Sequence, residues 1–279
     1  MSAMSPAVAV EGLVYHYDED EPALDGVDLA VADNAYLAVV GQNGSGKTTL
    51  VKHFNGLLRP SAGSVRVLGQ DTRRATVTQL ARQVGYVFQN PDHQIFCATV
   101  REEVAFGPRN LGLDAAAVGA RVGEALAAFD LGAYADLPPA MLGWGLRRKV
   151  TLAAVYAMRP RILVLDEPTT GLDRRSADDL MTRVDALHAA GHTIILVTHD
   201  MRLVAEHAHE TLVMHEGRVL AHGATRAVLS RANELARAAI DAPQVTRLAQ
   251  ALSAEGLPGD VLTVDEFCAH YRRRLEGAP

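Results

Sequence analysis

Residues 41–49 read Gly-Gln-Asn-Gly-Ser-Gly-Lys-Thr-Thr, a full phosphate-binding loop of the pattern GxxxxGK[ST]. The motif constrains the fold because its chemistry needs one setting: a strand, a tight glycine turn and the start of a helix. That setting is present. An apolar run, Ala35-Tyr36-Leu37-Ala38-Val39-Val40, leads into the loop, and Leu50-Val51-Lys52-His53-Phe54 leads out of it. Gly41, Gly44 and Gly46 let backbone N–H groups face phosphate oxygens with no Cβ in the way. Gln42, Asn43 and Ser45 complete the turn, and the helix that opens there adds the positive end of its dipole. Lys47 can reach the β- and γ-phosphates, and Thr48, followed by Thr49, can hold Mg²⁺ through its hydroxyl. A glycine-rich turn can be purely architectural, but here every fixed position and the Lys-Thr pair are present. The loop predicts a site for a nucleoside triphosphate with Mg²⁺.

The rest of the chain reads as an α/β fold built around that loop. Strands are expected at 64–68 and 84–88, and an edge strand broken at Gly12 over 8–15. The runs Ile162-Leu163-Val164-Leu165 and Thr193-Ile194-Ile195-Leu196-Val197 are apolar throughout, as strands buried on both faces of a parallel sheet are. Between them Ala177, Leu180, Val184 and Leu187 fall on one helical face, with Gly191 as a stop. Strand–helix–strand alternation of this kind indicates an α/β architecture, here a P-loop NTPase. Residues from about 94 to 158 carry alanine-rich helical stretches and no convincing strand, and are expected to form an inserted helical subdomain. The nucleotide-binding domain is expected over 1–228, followed by a helical extension over 229–279. In that extension Val245, Leu248, Ala249 and Leu252 form a stripe, and Thr263 with Glu266 predicts a capping box for a last helix. Arg272-Arg273-Arg274 at its end reads as solvated charge compensating the helix dipole, with a membrane-surface patch as the other reading.

Composition narrows the function classes. A net charge of −6 argues against a dominant nucleic-acid surface. The two cysteines, Cys97 and Cys268, lie outside any metal-ligand spacing and read as reduced, buried, structural thiols. Residues 1–10 lack a basic segment before an apolar core, so no signal peptide is expected. No run of eighteen apolar residues occurs, so any membrane role is expected to pass through partners.

Two later strand ends supply the rest of a hydrolytic site. Asp166 and Glu167 close the strand at 162–165, with Pro168 stopping the ladder. In a P-loop protein this is where an acid reaches Mg²⁺ beside the phosphates, and Glu167 is placed to orient and deprotonate a water. His199 follows the second apolar strand in the same relation, where an imidazole can bond the γ-phosphate and steady that base. The other reading, acids that merely cap the next helix, loses weight beside an intact phosphate loop.

In order behind the loop come Gln89, Leu165-Asp166-Glu167-Pro168-Thr169, Gly171-Leu172-Asp173 and His199. Over residues 8 to 225 this arrangement resembles an ABC-type ATPase domain. The resemblance implies that Gln89 touches Mg²⁺ and relays to a membrane partner, and that Asp173 lies at a dimer interface. Tyr17, in preference to Tyr15, resembles the aromatic that stacks on adenine, a contact contributing about 1–3 kcal/mol. Phe88-Gln89-Asn90-Pro91-Asp92-His93-Gln94-Ile95-Phe96, Glu103-Val104-Ala105-Phe106-Gly107-Pro108 and the C-terminal Ala242-Pro243-Gln244-Val245 are similar to the ATPases of energy-coupling-factor importers, including the cobalt and nickel group. That similarity implies a peripheral protein at the cytoplasmic face of the cell membrane. It also implies a second ABC ATPase, an integral-membrane scaffold and a membrane subunit that holds a vitamin or a metal ion.

One stretch departs from the family. The signature Leu-Ser-Gly-Gly-Gln, which clamps ATP held by the opposite subunit, falls on Leu142-Gly143-Trp144-Gly145-Leu146. Gly143 removes a hydroxyl donor, and a bond of that kind contributes about 1.5–3 kcal/mol. Trp144 puts an indole where backbone is expected to approach phosphate, while Gly145 keeps the pattern and Arg147-Arg148-Lys149 keeps the basic run. A heterodimer is the favoured expectation, in which a partner with an intact signature completes the site on Lys47 and Glu167; a homodimer stays open. The competing functions are a soluble ABC protein outside transport and a regulatory nucleotide-binding subunit. The first lacks its usual coiled-coil arms or basic surface, and retention of Glu167 and His199 weighs against the second.

Overall fold

The computed structural model describes residues 6–18 and 21–277; the first five residues of the segment read for a leader lie outside them. The chain opens with β1 (Val8–Tyr15), β2 (Leu24–Val31), β3 (Tyr36–Gly41) and α1 (Lys47–Lys52). Next come β4 (Ala62–Val67), β5 (Gln70–Asp71), α2 (Val77–Ala81) and β6 (Val84–Val87). Three α-helices fill the stretch read as helical: α3 (Val100–Asn110), α4 (Ala115–Ala128) and α5 (Trp144–Tyr156). Alternation then resumes with β7 (Ile162–Asp166), α6 (Arg174–Ala189), β8 (Thr193–Val197), α7 (Met201–His207), β9 (Glu210–His215) and β10 (Arg218–Ala224). The chain finishes in helices α8 (Thr225–Leu229), α9 (Ala232–Arg237), α10 (Gln244–Ala251) and α11 (Val264–Gly277).

Six strands form the main sheet in the order β10-β9-β3-β8-β7-β6, parallel except for β10. Because side chains alternate across a strand, each central strand feeds two cores. Tyr36, Ala38, Val40, Leu163, Leu165, Ile194 and Leu196 join the core that receives α3 to α7. Leu37, Val39, Ile162, Val164, Ile195 and Val197 join the other, with Leu50, Phe54 and the smaller sheet. Two-sided burial is what made these runs apolar from end to end.

The smaller sheet is antiparallel, in the order β2-β1-β4-β5. β1 is therefore an interior strand, not the broken edge strand expected. Its register shifts between Val10 and Leu13, and Gly12 takes a left-handed φ of +54°, so the strand bends through a bulge and keeps both neighbours.

The last helices are tied down by specific bonds. Arg226 pairs with Glu266 at 2.5 Å and donates to the Asp260 carbonyl at 2.7 Å, and the Thr246 hydroxyl donates to the Val261 carbonyl at 2.6 Å. Only half of the predicted capping box forms. The Glu266 N–H reaches the Thr263 hydroxyl at 3.2 Å, but the Glu266 carboxylate accepts from the Leu262 N–H and from Arg226. The guanidinium outcompetes a backbone N–H for a charged acceptor, and it holds the Glu266 carboxyl below its ordinary range. Among the arginines of the basic triplet, Arg274 meets Glu255 at 3.0 Å. Cys97 and Cys268 are free, as expected, but half-buried, not buried: both sit on segments with one side open to solvent. Among the described residues no helix is long and apolar enough to cross a membrane.

Gly85 of β6 marks where the helical layer meets the sheet. A Cβ there would lie 2.3 Å from Val155 Cγ1 of α5 and 2.8 Å from Pro160 Cγ. Neither neighbour is the loose end of a long side chain, so the contact cannot relax freely. Gly85→Ala is expected to destabilise the protein by about 1–3 kcal/mol through overpacking, read as a lower urea midpoint.

Candidate functional site

The parallel register brings the functional strand ends to one edge. Val39 pairs with Val197, and Asp166 with the same Val197, so the C-terminal ends of β3, β7 and β8 emerge side by side. Carboxyl ends of strands in such a sheet form the crevice where ligands bind. The phosphate loop bridges β3 to α1, and its shape depends on glycine. Gly46 has φ +96°, and a Cβ on it would lie 2.8 Å from the Ala23 carbonyl oxygen; one on Gly41 would lie 2.4 Å from that of Met214. The loop thus nests against neighbouring backbone with no room for side chains.

Inside that loop Lys47 is buried, and its Nζ donates to the Gly41 and Gln42 carbonyls at 2.7 Å each. Burial holds the ammonium below the ordinary lysine value, and the nearby Glu167 and Asp166 carboxylates oppose that shift. Among the described residues the Ser45 hydroxyl is buried with no hydrogen-bond partner. A cationic, donor-rich turn of this kind suits a polyphosphate. Gln42, Asn43 and Gly44 are exposed at its mouth, and Thr49 begins the buried side of α1.

Across from the loop stand the acids. The Thr48 hydroxyl lies 3.1 Å from Asp166 Oδ2, and the same oxygen accepts from the Tyr86 hydroxyl at 2.8 Å. Thr48 and Asp166 together make a hard-oxygen donor set of the type Mg²⁺ takes. Tyr86 was not singled out from the sequence. The only hint was a tyrosine in a buried strand, since a buried phenol generally finds a partner. Burial, reinforced by the Asp166 carboxylate, pushes the Tyr86 phenol upward, so it stays a donor.

Glu167 and His199 meet one residue further on. Glu167 Oε1 lies 2.6 Å from His199 Nδ1, and Oε2 is reached by the Thr170 hydroxyl at 3.3 Å and the Thr198 hydroxyl at 3.5 Å. Glu167 is buried, whereas the His199 side chain is 70% exposed. The carboxylate is thus oriented on both oxygens, and the imidazole keeps Nε2 for a second partner.

The remaining predicted residues lie around this centre. Tyr17 is exposed, with its hydroxyl 3.2 Å from Thr49 Oγ1, while Tyr15 packs edge-on against His53. Gln89 is exposed just past β6, and its carbonyl accepts from Arg148. Asp173 caps α6 by accepting from the Ser176 N–H at 2.7 Å. Gly143, Trp144 and Gly145 are not brought to the loop of their own chain; they start α5 and line a separate surface pocket of about 490 Å³. A larger cleft of about 730 Å³ runs from Gln42, Asn43 and His199 to Arg247 and Thr263 of the C-terminal helices.

A family model described as "ABC transporter" matches residues 24–170. The chain belongs to the ABC transporter family. Within it the chain is 46% identical over 248 residues to the cobalt import ATP-binding protein CbiO of Rhodobacter capsulatus, covering 88% of this chain and 89% of that one. It is 42% identical to the energy-coupling factor transporter ATP-binding protein EcfA2 of Symbiobacterium thermophilum, with 97% of each chain covered. It is also 42% identical to an ABC transporter ATP-binding protein of Caldanaerobacter subterraneus, of whose length it spans 46%. The solved structure of cbiO1 from Clostridium perfringens, part of the ABC transporter complex cbiONQ, superposes with a TM-score of 0.77 at 33% identity over 90% of this chain and 98% of that one. The chain is accordingly an ABC-type, ATP-binding ATPase subunit of the energy-coupling-factor group.

Tyr86→Phe keeps the ring and deletes the donor to Asp166. Leaving a buried carboxylate oxygen short of one bond is expected to destabilise the ABC domain by about 1–3 kcal/mol, measured by urea unfolding. Equal stability of the two proteins would mean that the phenol contributes nothing.

Proposed function

We propose that this chain powers an energy-coupling-factor importer from the cytoplasmic face of the cell membrane, driving uptake of a vitamin or a transition-metal ion through membrane partners. The observation that carries the ATPase chemistry is the 2.6 Å contact of Glu167 with His199, at adjacent strand ends beside the Lys47 loop. Likeness to CbiO and EcfA2 supports the importer class.

In this reading the phosphates lie in the 41–49 loop, with Lys47 and the loop N–H groups on their oxygens. Tyr17 stacks on the base. Its exposed ring beside α1 supports that choice over Tyr15, which is committed to His53. Thr48 and Asp166 hold Mg²⁺, with Gln89 as a further ligand; when bound, the metal neutralises charge on the phosphate oxygens. Glu167 orients the attacking water and takes its proton, and His199 holds the Glu167 carboxylate while Nε2 faces the γ-phosphate.

The 730 Å³ cleft gives a second ATPase subunit access to the loop mouth. A heterodimer is favoured, because Gly143 offers no hydroxyl for a partner's phosphate, and a homodimer would repeat that deficit twice. Asp173 and the start of α5 belong to the facing surface. The C-terminal helices, with Val264, Tyr271 and Leu275 exposed along α11, add a dimerisation surface.

Glu167→Gln is expected to lower kcat by about 10²–10⁴ while MgATP still binds. Unchanged turnover would remove Glu167 from the chemistry. Within the assembled pair, this substitution is expected to remove most hydrolysis, whereas disabling the partner's phosphate loop removes less. Equal losses from the two would end the heterodimer reading.

A further inference from the structure

After β7 the chain turns through Glu167-Pro168-Thr169-Thr170-Gly171, leaving the strand with Glu167 at a left-handed φ of +48°. A non-glycine residue in that region is held there by its surroundings. At the near end, the Glu167 N–H is bonded to the Val197 carbonyl at 2.9 Å. At the far end the anchor comes from another element. Trp144 Nε1 donates to the Thr170 carbonyl at 3.0 Å, and the indole lies so close to Gly171 that a Cβ there would be 2.9 Å from Nε1. One turn further along α5, Arg148 donates to the Glu167 carbonyl at 3.2 Å. The guanidinium groups of Arg147 and Arg148 flank the indole at 5.4 and 5.7 Å from its centre. The turn carrying Glu167 is therefore gripped at residues 167, 170 and 171 by the beginning of α5. Thr170 links this grip to the carboxylate, because its carbonyl takes the indole N–H while its hydroxyl reaches Glu167 Oε2 at 3.3 Å.

We propose that Trp144 is a positioning residue for hydrolysis in its own chain: its indole N–H fixes Thr170, and Thr170 fixes the Glu167 carboxylate. A glycine at position 144 could make neither the bond nor the contact with Gly171. The substitution that weakens this chain's service to a partner's nucleotide thus supplies a support for its own base. The proposal rests on Glu167 being that base.

Trp144 is the chain's only tryptophan, so its emission reports this contact without labelling. The test uses the full-length chain at concentrations where light scattering shows a monomer, so no partner's nucleotide is near. Adding MgATP is expected to shift the Trp144 emission. Thr170→Ala, which keeps the carbonyl but cuts the link to Glu167, is expected to suppress the shift while MgATP affinity stays the same. Emission that ignores bound MgATP, or a shift undiminished in Thr170→Ala, overturns the proposal whether or not the monomer turns over. In the hydrolysing assembly, Trp144→Phe is expected to lower kcat about tenfold with KM for ATP within about twofold, the pattern of a misplaced catalytic group and not of lost binding. A loss confined to melting temperature overturns it as well. Normal hydrolysis by Glu167→Gln would instead overturn the reading of Glu167 on which the proposal stands.

Discussion

Asp166 of β7 and Val39 of β3 both pair with Val197 of β8, and everything at the phosphate end depends on that register. In a strand a slip of one residue exchanges its faces, sending Ile195 and Val197 into the core that now receives Ile194 and Leu196. Both cores are built from buried apolar side chains, so the register is specified twice over, once on each face. The same pairing sets Val39, Val197 and Asp166 at one height, and the polar residues that follow on each strand inherit their positions from it. The carboxylates proposed to orient water and to hold the metal, Glu167 and Asp166, converge with the phosphate loop because hydrophobic packing fixes this alignment. Catalytic geometry here is a by-product of core packing.

Much of this was legible because the decisive signals are local. The loop at 41–49, the acids at 166 and 167 and the histidine at 199 each follow an apolar run whose two-sided burial shows in its composition. Elements with mixed composition were harder to read. β2 alternates, with Asp25, Asp28 and Ala30 set against Leu24, Val27, Leu29 and Val31, because one face packs on the small-sheet core and the other does not. β9 is bounded by Glu210 and His215 with residues 211–214 buried between them, and β10 opens on Arg218 with only Ala221 buried. β1 looked like an edge because Gly12 interrupts it, yet the interruption is a bulge between two partners. The supporting residues of the site were the least visible. Tyr86 reaches Asp166 across 80 positions and Arg148 reaches Phe88 across 60, and no spacing rule spans such distances.

Arg148 shows what such long contacts accomplish. It is buried, and burial pushes its guanidinium down to about 10 even with Asp166 and Glu167 nearby. A charge in that position is costly unless its donors are satisfied. Its two terminal nitrogens are met by backbone carbonyls, Phe88 at 2.7 Å, Gln89, and Glu167 at 3.2 Å, while the buried Nε has no partner among the described residues. Those three carbonyls lie just past the ends of β6 and β7, so a single planar fork clamps the segment after β6 to the turn that carries Glu167. Lysine could not replace it, because a point donor cannot reach three carbonyls in a fixed plane.

Helix α5 therefore has two duties, one turn apart. Its Arg148 holds the backbone of Phe88 and Gln89, which leads into the segment expected to meet the membrane partner, and its Trp144 holds Thr170 beside Glu167. The 88–96 segment thus has a short, hydrogen-bonded route to Glu167 through α5, with no need for a diffuse rearrangement of the core. Such a route couples sites only if the linked element has two arrangements that both ends bias. The turn at 167–171 is the element on which such a coupling would act: it begins at a left-handed Glu167, ends at a left-handed Gly171, and is anchored by side chains instead of by a strand ladder. Its anchors are the bonds that a shift of α5 would strain first. On the proposed roles of Glu167 and of the 88–96 segment, movement of a partner and readiness of the base would be two readings of one helix position.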